Sequence, residues 1–527
     1  MDTHTGKPTE TGILAWIERT GNRLPDPVFI FLWLILAIVL LSVVAALAGL
    51  SVAHPTQQLA DGSPVIIAAS SLLSAANIQR LLVEMPTTFT HFHPLGYVLV
   101  VMLGAGVAER SGLFGCAMRA AVSKAPAYLL TPVVALAAMM GNLATDAAYV
   151  VLIPLAGIIY AAAGRHPIAG IAAAFAGVSG GFSANLIPGQ LDALLFGVTQ
   201  ASVAGIDSSW VMNIAGNWYF MAALTLLYLP VIWYLTDRLI EPRLLLSGRP
   251  LNSLSAGEVG RETEQADEGM TSTERAGLRR AGLAALGVIG LWLALCLMPG
   301  TPLLADATGP ARMQPFYQSL VAGFFLLFLA SGWAYGSVTG SVNSHRDIVR
   351  MMSEAMADLS YYLVLAFAAA HFVAMFSWSN LGLIFAVQGA AFIEASQLPN
   401  ALLLCLVILL TASINLFIGS ASAKWALLAP VLVPMLMLLG LSPEMATASY
   451  RVGDSATNII TPLMPYFPLI LAFCQRWNKD FGLGSLAATM IPYSVWLLLS
   501  GMLMTVVWVL LGLPLGPDAA ATYQLGQ

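Results

Sequence analysis

The sequence predicts an all-α polytopic membrane protein with nine transmembrane helices and two re-entrant hairpins, arranged as inverted repeats with broken helices. Of the 527 residues, 58% are hydrophobic and 9% are charged, whereas soluble proteins carry about 25% charged residues. The mean hydropathy is +0.81. Apolar runs are long enough to cross a bilayer, and several are interrupted near their middle by polar residues, glycine and proline.

Charge and cysteine content exclude other classes. The net charge is −5 and no basic patch occurs, so nucleic acid is not expected as a partner. The four cysteines have no paired spacing, which excludes a disulfide framework and a cysteine metal site. The first 26 residues lack the apolar core of a cleavable signal. We therefore expect the lipid bilayer as the main partner of the chain.

The basic residues orient the first two spans. Residues 1–26 carry three of them ahead of the first apolar run, 27–50. By the positive-inside rule, this N-terminal segment is predicted to be cytoplasmic. The next loop, 51–92, has one basic residue and is predicted to lie outside. A second span, 94–113, then returns the chain to a basic cluster on the inside.

The rest of the first transmembrane repeat (27–236) contains two interrupted elements. The apolar block 126–163 is too long for one span. It forms either a re-entrant hairpin with its tip at 141–146 or two full crossings, because both bring the chain back to basic residues on the inside. Residues 167–200 are predicted as one span broken near its midpoint by GGFSANLIPGQLD. A span at 211–236 follows.

Residues 237–279 form the one long polar segment. Their mixed charge and lack of apolar periodicity predict a flexible cytoplasmic connector between two halves. The second half, 280–513, repeats the pattern of the first. Its predicted elements are spans at 280–298, 317–336 and 355–378, an interfacial segment at 381–396, a hairpin at 400–441, a broken helix at 446–475 and a last span at 485–513. An external tail, 514–527, follows.

This order of crossings predicts the location of the functional site. Nine spans and two hairpins satisfy the positive-inside rule throughout, with the N-terminus cytoplasmic and the C-terminus external. The first hairpin then enters from the cytoplasm and the second from outside, as in inverted repeats. In such folds, sites form at the midplane from discontinuous helices. We therefore expect the site where the hairpins meet the broken helices.

The stretch of the second half that contains Arg451 and Asp454 places at bilayer depth polar groups whose burial is energetically unfavourable. Burying Arg451 and Asp454 there costs about 2.5–3.5 kcal/mol each on insertion scales. Gly419, Gly453 and Pro462 are predicted to interrupt helices in the same stretch. Broken backbone is tolerated inside a membrane only where it is buried or lines a cavity. The pattern indicates a solute or ion site.

The same stretch offers oxygen ligands for a cation. Asp454 and Asn458 are expected one turn apart, at the start of the second half-helix. Carboxylate, amide and backbone carbonyl oxygens suit a hard cation such as Na⁺. Further oxygens are available from Asn415, Ser420 and Asn185. This set favours coupling to Na⁺ or H⁺; the alternative is that Asp454 only pairs with Arg451 and stabilises the fold.

Other residues are candidates for solute binding. Arg451 either grips a substrate carboxylate through two N–H groups or neutralises the nearby aspartate. Trp425 is either an interfacial anchor or a surface on which an aromatic solute stacks, with Ser420 and Ser422 nearby to supply hydroxyls. Of the two acids near the first breaks, Asp146 and Asp192, the second is favoured because it lies nearer to the SAN segment.

Six strings resemble the aminobenzoyl-glutamate transporter (AbgT) family. They are AGVAERSGL (105–113), GRHPIAGIAAAFAGVSGGFSANL (164–186), NWYFM (217–221), FVAMFSWSN (372–380), NLFIGSASAKW (415–425) and YRVGDSATNIITP (450–462). They extend from end to end of the chain. The resemblance implies a homodimeric transporter of the bacterial inner membrane with nine transmembrane helices and two re-entrant hairpins.

The resemblance also implies functional residues. Family residues implicated in transport match Asp192, Ser422, Trp425, Pro443, Arg451, Asp454 and Pro462. Residues that match Asn185, Asn415 and Asp454 lie near a bound sodium ion in the sodium-containing members. Some members take up aminobenzoyl-glutamate and others resemble exporters of sulfonamide antimetabolites, to which the GSASAKW string is closer. The implied protein is a secondary transporter of a small aromatic or carboxylate solute, coupled to H⁺ or Na⁺, and not an enzyme.

The sequence also suggests two other functions. Within transport, the alternative is a Na⁺-driven importer of aminobenzoyl-glutamate or another small carboxylate. From another class, an intramembrane aspartyl protease is suggested by VGD at 452–454, which is similar to a GxGD motif. Arg451 replaces its first glycine, and a nearby arginine would hold Asp454 ionised and prevent a shared-proton dyad. Paired hairpins also suit alternating access better than an open channel.

Overall fold

The computed structural model describes residues 26–58, 63–122, 126–144, 148–204, 206–207, 210–246, 270–298, 300–305, 312–461, 464 and 466–524. Four parts of the sequence-based interpretation therefore lie outside the described residues. These are the N-terminal segment up to residue 25, the core of the connector at 247–269, Asp146 and Pro462.

The described residues of the first half form ten helices and one small sheet. The helices are α1 (Pro27–Leu47), α2 (Ala75–Thr90), α3 (His93–Arg110), α4 (Leu113–Val122), α5 (Leu130–Gly141), α6 (Ile153–Ala162), α7 (Pro167–Phe175), α8 (Gln190–Val203), α9 (Trp218–Leu235) and α10 (Glu241–Leu246). The sheet pairs β1 (Ser51–Gln58) with β2 (Pro64–Ala68) in antiparallel register. Turns of π-helix occur at Ala148–Leu152, Ala176–Gly180 and Thr236–Ile240.

In the second half, the part of the chain that the structure describes contains ten helices. They are α11 (Ser272–Leu297), α12 (Gln314–Thr339), α13 (His345–Asp358), α14 (Ser360–Trp378), α15 (Leu381–Ala395), α16 (Asn400–Asn415), α17 (Ala421–Leu438), α18 (Pro443–Thr457), α19 (Phe467–Trp477) and α20 (Leu483–Leu510). A short 3₁₀ turn, Asn458–Ile460, follows α18.

The helices confirm the predicted fold class. In the described part of the chain, eight helices are long and apolar enough to cross a membrane. Seven of them contain the predicted unbroken spans, namely α1, α3, α9, α11, α12, α14 and α20. The eighth, α17, is an arm of the second hairpin. The two broken helices, α7–α8 and α18–α19, complete the nine predicted crossings.

The block 126–163 folds as a re-entrant hairpin and not as two full crossings. Its first arm, α5, has 12 residues and is about 18 Å long at 1.5 Å per residue, against a hydrocarbon core of about 30 Å. The hydroxyls of Thr131 and Tyr160 are 2.6 Å apart, so both arms have their bases at one level. The first arm ends inside the protein, where the Asn142 amide donates to the Gly181 carbonyl at 3.3 Å.

The second broken helix differs from the prediction at Gly453. This glycine lies inside α18, which continues unbroken to Thr457. A Cβ atom at Gly453 would lie 1.9 Å from the Thr411 hydroxyl and 2.4 Å from the Ile408 carbonyl of α16. The prediction that Gly453 interrupts the helix was therefore wrong, because this glycine permits close contact between α16 and α18. Gly419 does lie in the non-helical tip between α16 and α17, as predicted.

Loops predicted to share the external side contact one another. Phe220 donates its backbone N–H to the Leu515 carbonyl at 3.1 Å. Tyr523 donates its backbone N–H to Gly440 at 2.9 Å and its hydroxyl to the Asp207 carboxylate at 3.0 Å. The C-terminal tail is therefore packed across the ends of α9, α17 and the loop after α8.

Loops predicted to be cytoplasmic are also grouped. Arg110 pairs with Glu354 at 3.1 Å, and Arg119 pairs with Glu274 at 2.7 Å. These contacts join the end of α3 to α13 and α4 to the start of α11. The predicted grouping of loops thus agrees with the contacts, whereas the side that faces the cytoplasm stays a prediction.

Three segments have more structure than the sequence indicated. The predicted external loop 51–92 contains the β1–β2 sheet and α2. The predicted connector 237–279 is helical at both ends, because α10 extends to Leu246 and α11 begins at Ser272 behind a Thr271 capping box. Residues 345–358 form a separate amphipathic helix, α13, ahead of the span α14.

Candidate functional site

The tip of the second hairpin, the end of α18 and the start of α8 meet at a buried charged cluster. Its charged members are Asp192 on α8, Lys424 on α17, and Arg451 and Asp454 on α18. None of these residues is more than 3% exposed. Buried charges are costly unless they are paired, and these four form two ion pairs. The cluster is therefore neutral and closed to water in this conformation.

The first pair joins the two broken helices. A terminal nitrogen of Arg451 donates to Asp192 Oδ1. The other carboxylate oxygen of Asp192 accepts the Gly189 backbone N–H at 2.6 Å, so Asp192 also caps α8. Within the described part of the chain, Arg451 Nη1 contacts only the Met221 sulfur, at 2.9 Å, and Nε has no hydrogen-bond partner. Arg451 thus keeps donors that a second anion can use.

The second pair connects the hairpin tip to α18. Lys424 Nζ lies 2.5 Å from Asp454 Oδ1 and also donates to Asn415 Oδ1. Pairing between Arg451 and Asp454, considered from their spacing, was wrong. Asp454 binds Lys424, and Arg451 binds Asp192, because α17 and α8 bring these partners closer than any on α18 itself.

The Lys424 ammonium lies at the carboxyl ends of two helices. Asn415 is the last residue of α16, and Asp454 is in the last turn of α18. Helix carboxyl ends carry partial negative charge and favour a cation. This placement corrects the prediction that Asp454 and Asn458 begin the second half-helix, since they lie at the end of the first. The Asn415 amide nitrogen is within 2.8 Å of the Asp454 carbonyl, the Thr457 hydroxyl and Asn458 Oδ1.

An aromatic pair closes the cluster on one side. Trp425 is fully buried, so it is not an interfacial anchor. Its indole N–H donates to the Thr199 hydroxyl at 2.9 Å. The Trp425 and Tyr450 rings lie 4.5 Å apart between centroids, tilted by 32°. The Tyr450 hydroxyl donates to the Ala421 carbonyl at 2.6 Å. The ring surface therefore lies beside the hairpin tip, as the stacking hypothesis requires.

The other predicted residues differ in how close they come to this cluster. Ser420 and Ser422 lie 3.1 Å apart at the hairpin tip, where Ser420 also caps α17. The Asn185 side chain is buried, and no described residue donates a hydrogen bond to its Oδ1. Pro443 begins α18 and lies about three turns from Asp454, roughly 16 Å along the helix. Pro443 therefore does not join the cluster.

A family model described as the AbgT putative transporter family matches residues 12–523. The chain belongs to the AbgT transporter family.

Individual AbgT proteins match over nearly the whole chain. The p-aminobenzoyl-glutamate transport protein of Escherichia coli (strain K12) is 35% identical over 506 residues, which cover 96% of each chain. The crystal structure of the Alcanivorax borkumensis YdaH transporter, described as having an unusual topology, has 42% identity and a TM-score of 0.85 over 94% of this chain and 100% of that one. MtrF of Neisseria gonorrhoeae, from a class of antimetabolite efflux pumps, has 40% identity and a TM-score of 0.88 over 96% and 100%.

The AbgT resemblance implies a sodium ion near Asn185, Asn415 and Asp454. Asn415 Oδ1 and Asp454 Oδ1 both accept from the Lys424 ammonium. The Asn415 amide nitrogen donates to the Asp454 backbone carbonyl and to Asn458 Oδ1. Among the described residues, the Asn185 oxygen has no hydrogen-bond partner. A sodium ion about 4 Å from the ammonium would be repelled by about 4 kcal/mol at an effective dielectric constant near 20. The Asn415 and Asp454 oxygens therefore do not fit Na⁺ while the Lys424 ammonium occupies them.

Sequence reasoning missed three members of this AbgT site. Lys424 is a charged residue at bilayer depth in the sequence, and the free-energy cost of burying its charge already indicated a functional residue. Tyr450 precedes Asp454 by four residues, so the two share one helix face, and the Tyr450 hydroxyl lies 3.3 Å from Asp454 Oδ1. Thr199 carried no signal, because its contact with Trp425 depends on how α8 packs against α17.

The geometry does not support the intramembrane aspartyl protease hypothesis. An aspartyl dyad needs two carboxyl groups that share a proton. Asp192 and Asp454 are bound instead to two different basic side chains. This arrangement agrees with membership of a transporter family.

Proposed function

We propose that this protein is a secondary active transporter of the inner membrane that moves small aromatic solutes. The solutes are aminobenzoyl-glutamate-like folate catabolites, sulfonamide antimetabolites, or both, and the driving force is a gradient of H⁺ or Na⁺. The proposal is supported by the E. coli relative, a p-aminobenzoyl-glutamate transport protein, and by the similarity to MtrF, from a class of antimetabolite efflux pumps.

One observation carries the proposal: two ion pairs hold the hairpin tip and both broken helices together around a buried aromatic pair. Each ion pair joins elements that come from different segments, so separating the elements breaks a pair. A solute that supplies replacement contacts lowers the cost of that separation. Binding and opening are then coupled, as alternating access requires.

The chemistry of the cluster matches such solutes. Arg451 has an unpartnered Nε and an Nη1 that contacts only sulfur, so it can receive a carboxylate or sulfonyl oxygen. Trp425 and Tyr450 supply a flat apolar surface. Ser422 contributes a hydroxyl at the hairpin tip. All of these groups are at most partly exposed, so the proposal includes an opening step before the solute enters.

Counterflow in proteoliposomes tests the proposal. The purified protein is loaded with unlabelled aminobenzoyl-glutamate or a sulfonamide, and entry of the labelled compound is followed under separate H⁺ and Na⁺ gradients. We expect exchange of at least one solute above the level of protein-free liposomes, accelerated by one gradient. Absence of exchange for both solutes under both gradients would contradict the proposal.

Trp425 variants test the binding surface directly. Trp425→Ala is expected to weaken solute binding by about 1–3 kcal/mol, the scale of aromatic stacking on bases. Trp425→Phe keeps a ring but loses the bond to Thr199, and Thr199→Val loses the bond while it keeps the indole. If stacking matters, both controls bind nearly as the wild type does. Wild-type affinity in Trp425→Ala removes the tryptophan from the site.

The orientation and the homodimer also belong to this proposal. We expect a cytoplasmic N-terminus, an external C-terminus and two copies per transporter, from the positive-inside rule and the family resemblance. Light scattering of the protein in detergent measures the number of copies. A monomer that still performs counterflow would show that the dimer is not needed for transport.

A further inference from the structure

We propose that the Lys424 ammonium is the resident cation of the site at Asn415 and Asp454, where it replaces a sodium ion and makes transport independent of Na⁺. The inference rests on the proposed function and deepens it, because it assigns the residue that decides the coupling ion.

The geometry of Lys424 is that of a cation held by a cation site. Its ammonium contacts the Asp454 carboxylate at 2.5 Å and the Asn415 amide oxygen. Both oxygens come from helix carboxyl ends, where partial negative charge collects. Carboxylate and amide oxygens of this kind are also ligands of hard metal cations. One cluster of oxygens thus suits either an ammonium or a metal ion, and Lys424 is buried within it.

The position of Lys424 on its own helix supports a specific role. It lies in the first turns of α17, whose cap is Ser420. A helix amino end carries partial positive charge and disfavours a lysine there. The contacts at Asp454 and Asn415 must therefore compensate for both burial and the unfavourable helix end. A residue that only filled space would not need a charge.

The charge balance explains why the two cations exclude each other. Asp192 is neutralised by Arg451 and Asp454 by Lys424, so the buried cluster has no excess negative charge. Adding Na⁺ would leave one positive charge uncompensated. Removing the lysine leaves Asp454 without its ion-pair partner and opens the space that the ammonium filled. The variant Lys424→Ala is therefore expected to gain a sodium site that the wild type lacks.

Thermal unfolding tests this gain of binding without any transport measurement. Purified wild type, Lys424→Ala and Lys424→Arg are heated in NaCl or in choline chloride at equal ionic strength. Wild type and Lys424→Arg are expected to have the same Tm in both salts. Lys424→Ala is expected to have a lower Tm in choline and to recover with Na⁺. Its unfolding equilibrium constant should fall about 100-fold at a Na⁺ concentration about 100 times the dissociation constant.

The double variant Lys424→Ala, Asp454→Asn is the matched control, since it keeps the open space but removes the carboxylate. It should lose the sodium response. A Na⁺-specific rise in the Tm of the wild type that Asp454→Asn abolishes would overturn the proposal. A folded Lys424→Ala protein whose Tm ignores Na⁺ would also overturn it.

Counterflow by the wild type decides the case if Lys424→Ala cannot be purified. Equal solute exchange in Na⁺ and in choline supports the proposal, and a strict requirement for Na⁺ refutes it. If no tested solute is exchanged at all, the proposed function fails. The wild-type Tm in NaCl and in choline chloride still reports whether the native protein binds Na⁺, so the two failures are distinguishable.

Discussion

The ion pair between Asp192 and Arg451 gives a prediction whose size follows from the structure. Both side chains are 3% exposed, so removing one charge leaves the other buried without a partner. Breaking a buried pair in this way costs about 3–5 kcal/mol. Asp192→Asn measures the loss of the ion pair alone, because an asparagine oxygen can still accept a hydrogen bond from the Gly189 N–H and so keep the cap of α8. Asp192→Ala also loses the cap, which adds about 0.5–2 kcal/mol.

Purified variants are compared by intrinsic tryptophan fluorescence during heating, and by unfolding rates at one temperature where heating is irreversible. The order of stability is expected to be wild type, then Asp192→Asn, then Asp192→Ala. The double variant Asp192→Asn, Arg451→Gln removes both charges, so it should be more stable than the sum of the single effects by about 0.5–3 kcal/mol. Additive effects would refute the idea that these charges stabilise each other across the two broken helices.

Three further predictions concern packing, pH and the site. Gly453→Ala is expected to destabilise the protein by about 1–3 kcal/mol or more through overpacking against α16, and unchanged thermal unfolding would show that the two helices can separate freely. Burial lowers the pKa of His166, with Glu241 opposing the shift, so the unfolded chain takes up a proton at a higher pH than the folded one. Stability from this group is present above about pH 6.5 and is lost as the pH falls below it; His166→Gln should flatten that part of the pH profile of Tm. Arg451→Lys should impair transport of carboxylated solutes more than that of plain sulfonamides, because lysine lacks the fork of N–H donors; equal losses would assign Arg451 to the Asp192 pair alone.

The hairpins and broken helices could be predicted because each leaves a mark along the chain. Apolar blocks of the wrong length and polar residues in their middle follow from the membrane's thickness and its intolerance of unpaired backbone. Basic residues in the loops then gave a consistent order of crossings.

The ion pairs could not be predicted from the same marks. Arg451 and Asp454 are three residues apart on one helix, which makes them neighbours along the chain. Their actual partners, Asp192 and Lys424, depend on how α8 and α17 cross α18. The prediction that Gly453 interrupts a helix was wrong for a related reason. A glycine that breaks a helix and a glycine that lets two helices touch cannot be distinguished in a sequence.

The packed C-terminal tail has a mechanical consequence for the second hairpin. It fixes the carboxyl end of α17, because Ser442 donates its backbone N–H to Ala521 at 3.1 Å and Leu441 bridges to Thr522. The tip end of the same arm is held by the Lys424–Asp454 ion pair, the Trp425 bond to Thr199 and the Tyr450 bond to the Ala421 carbonyl. The arm can therefore tilt about a pivot where it contacts the C-terminal tail. Its 18 residues span about 27 Å, so a tilt of about 10° at the pivot would move the tip by roughly 5 Å, enough to separate Lys424 from Asp454.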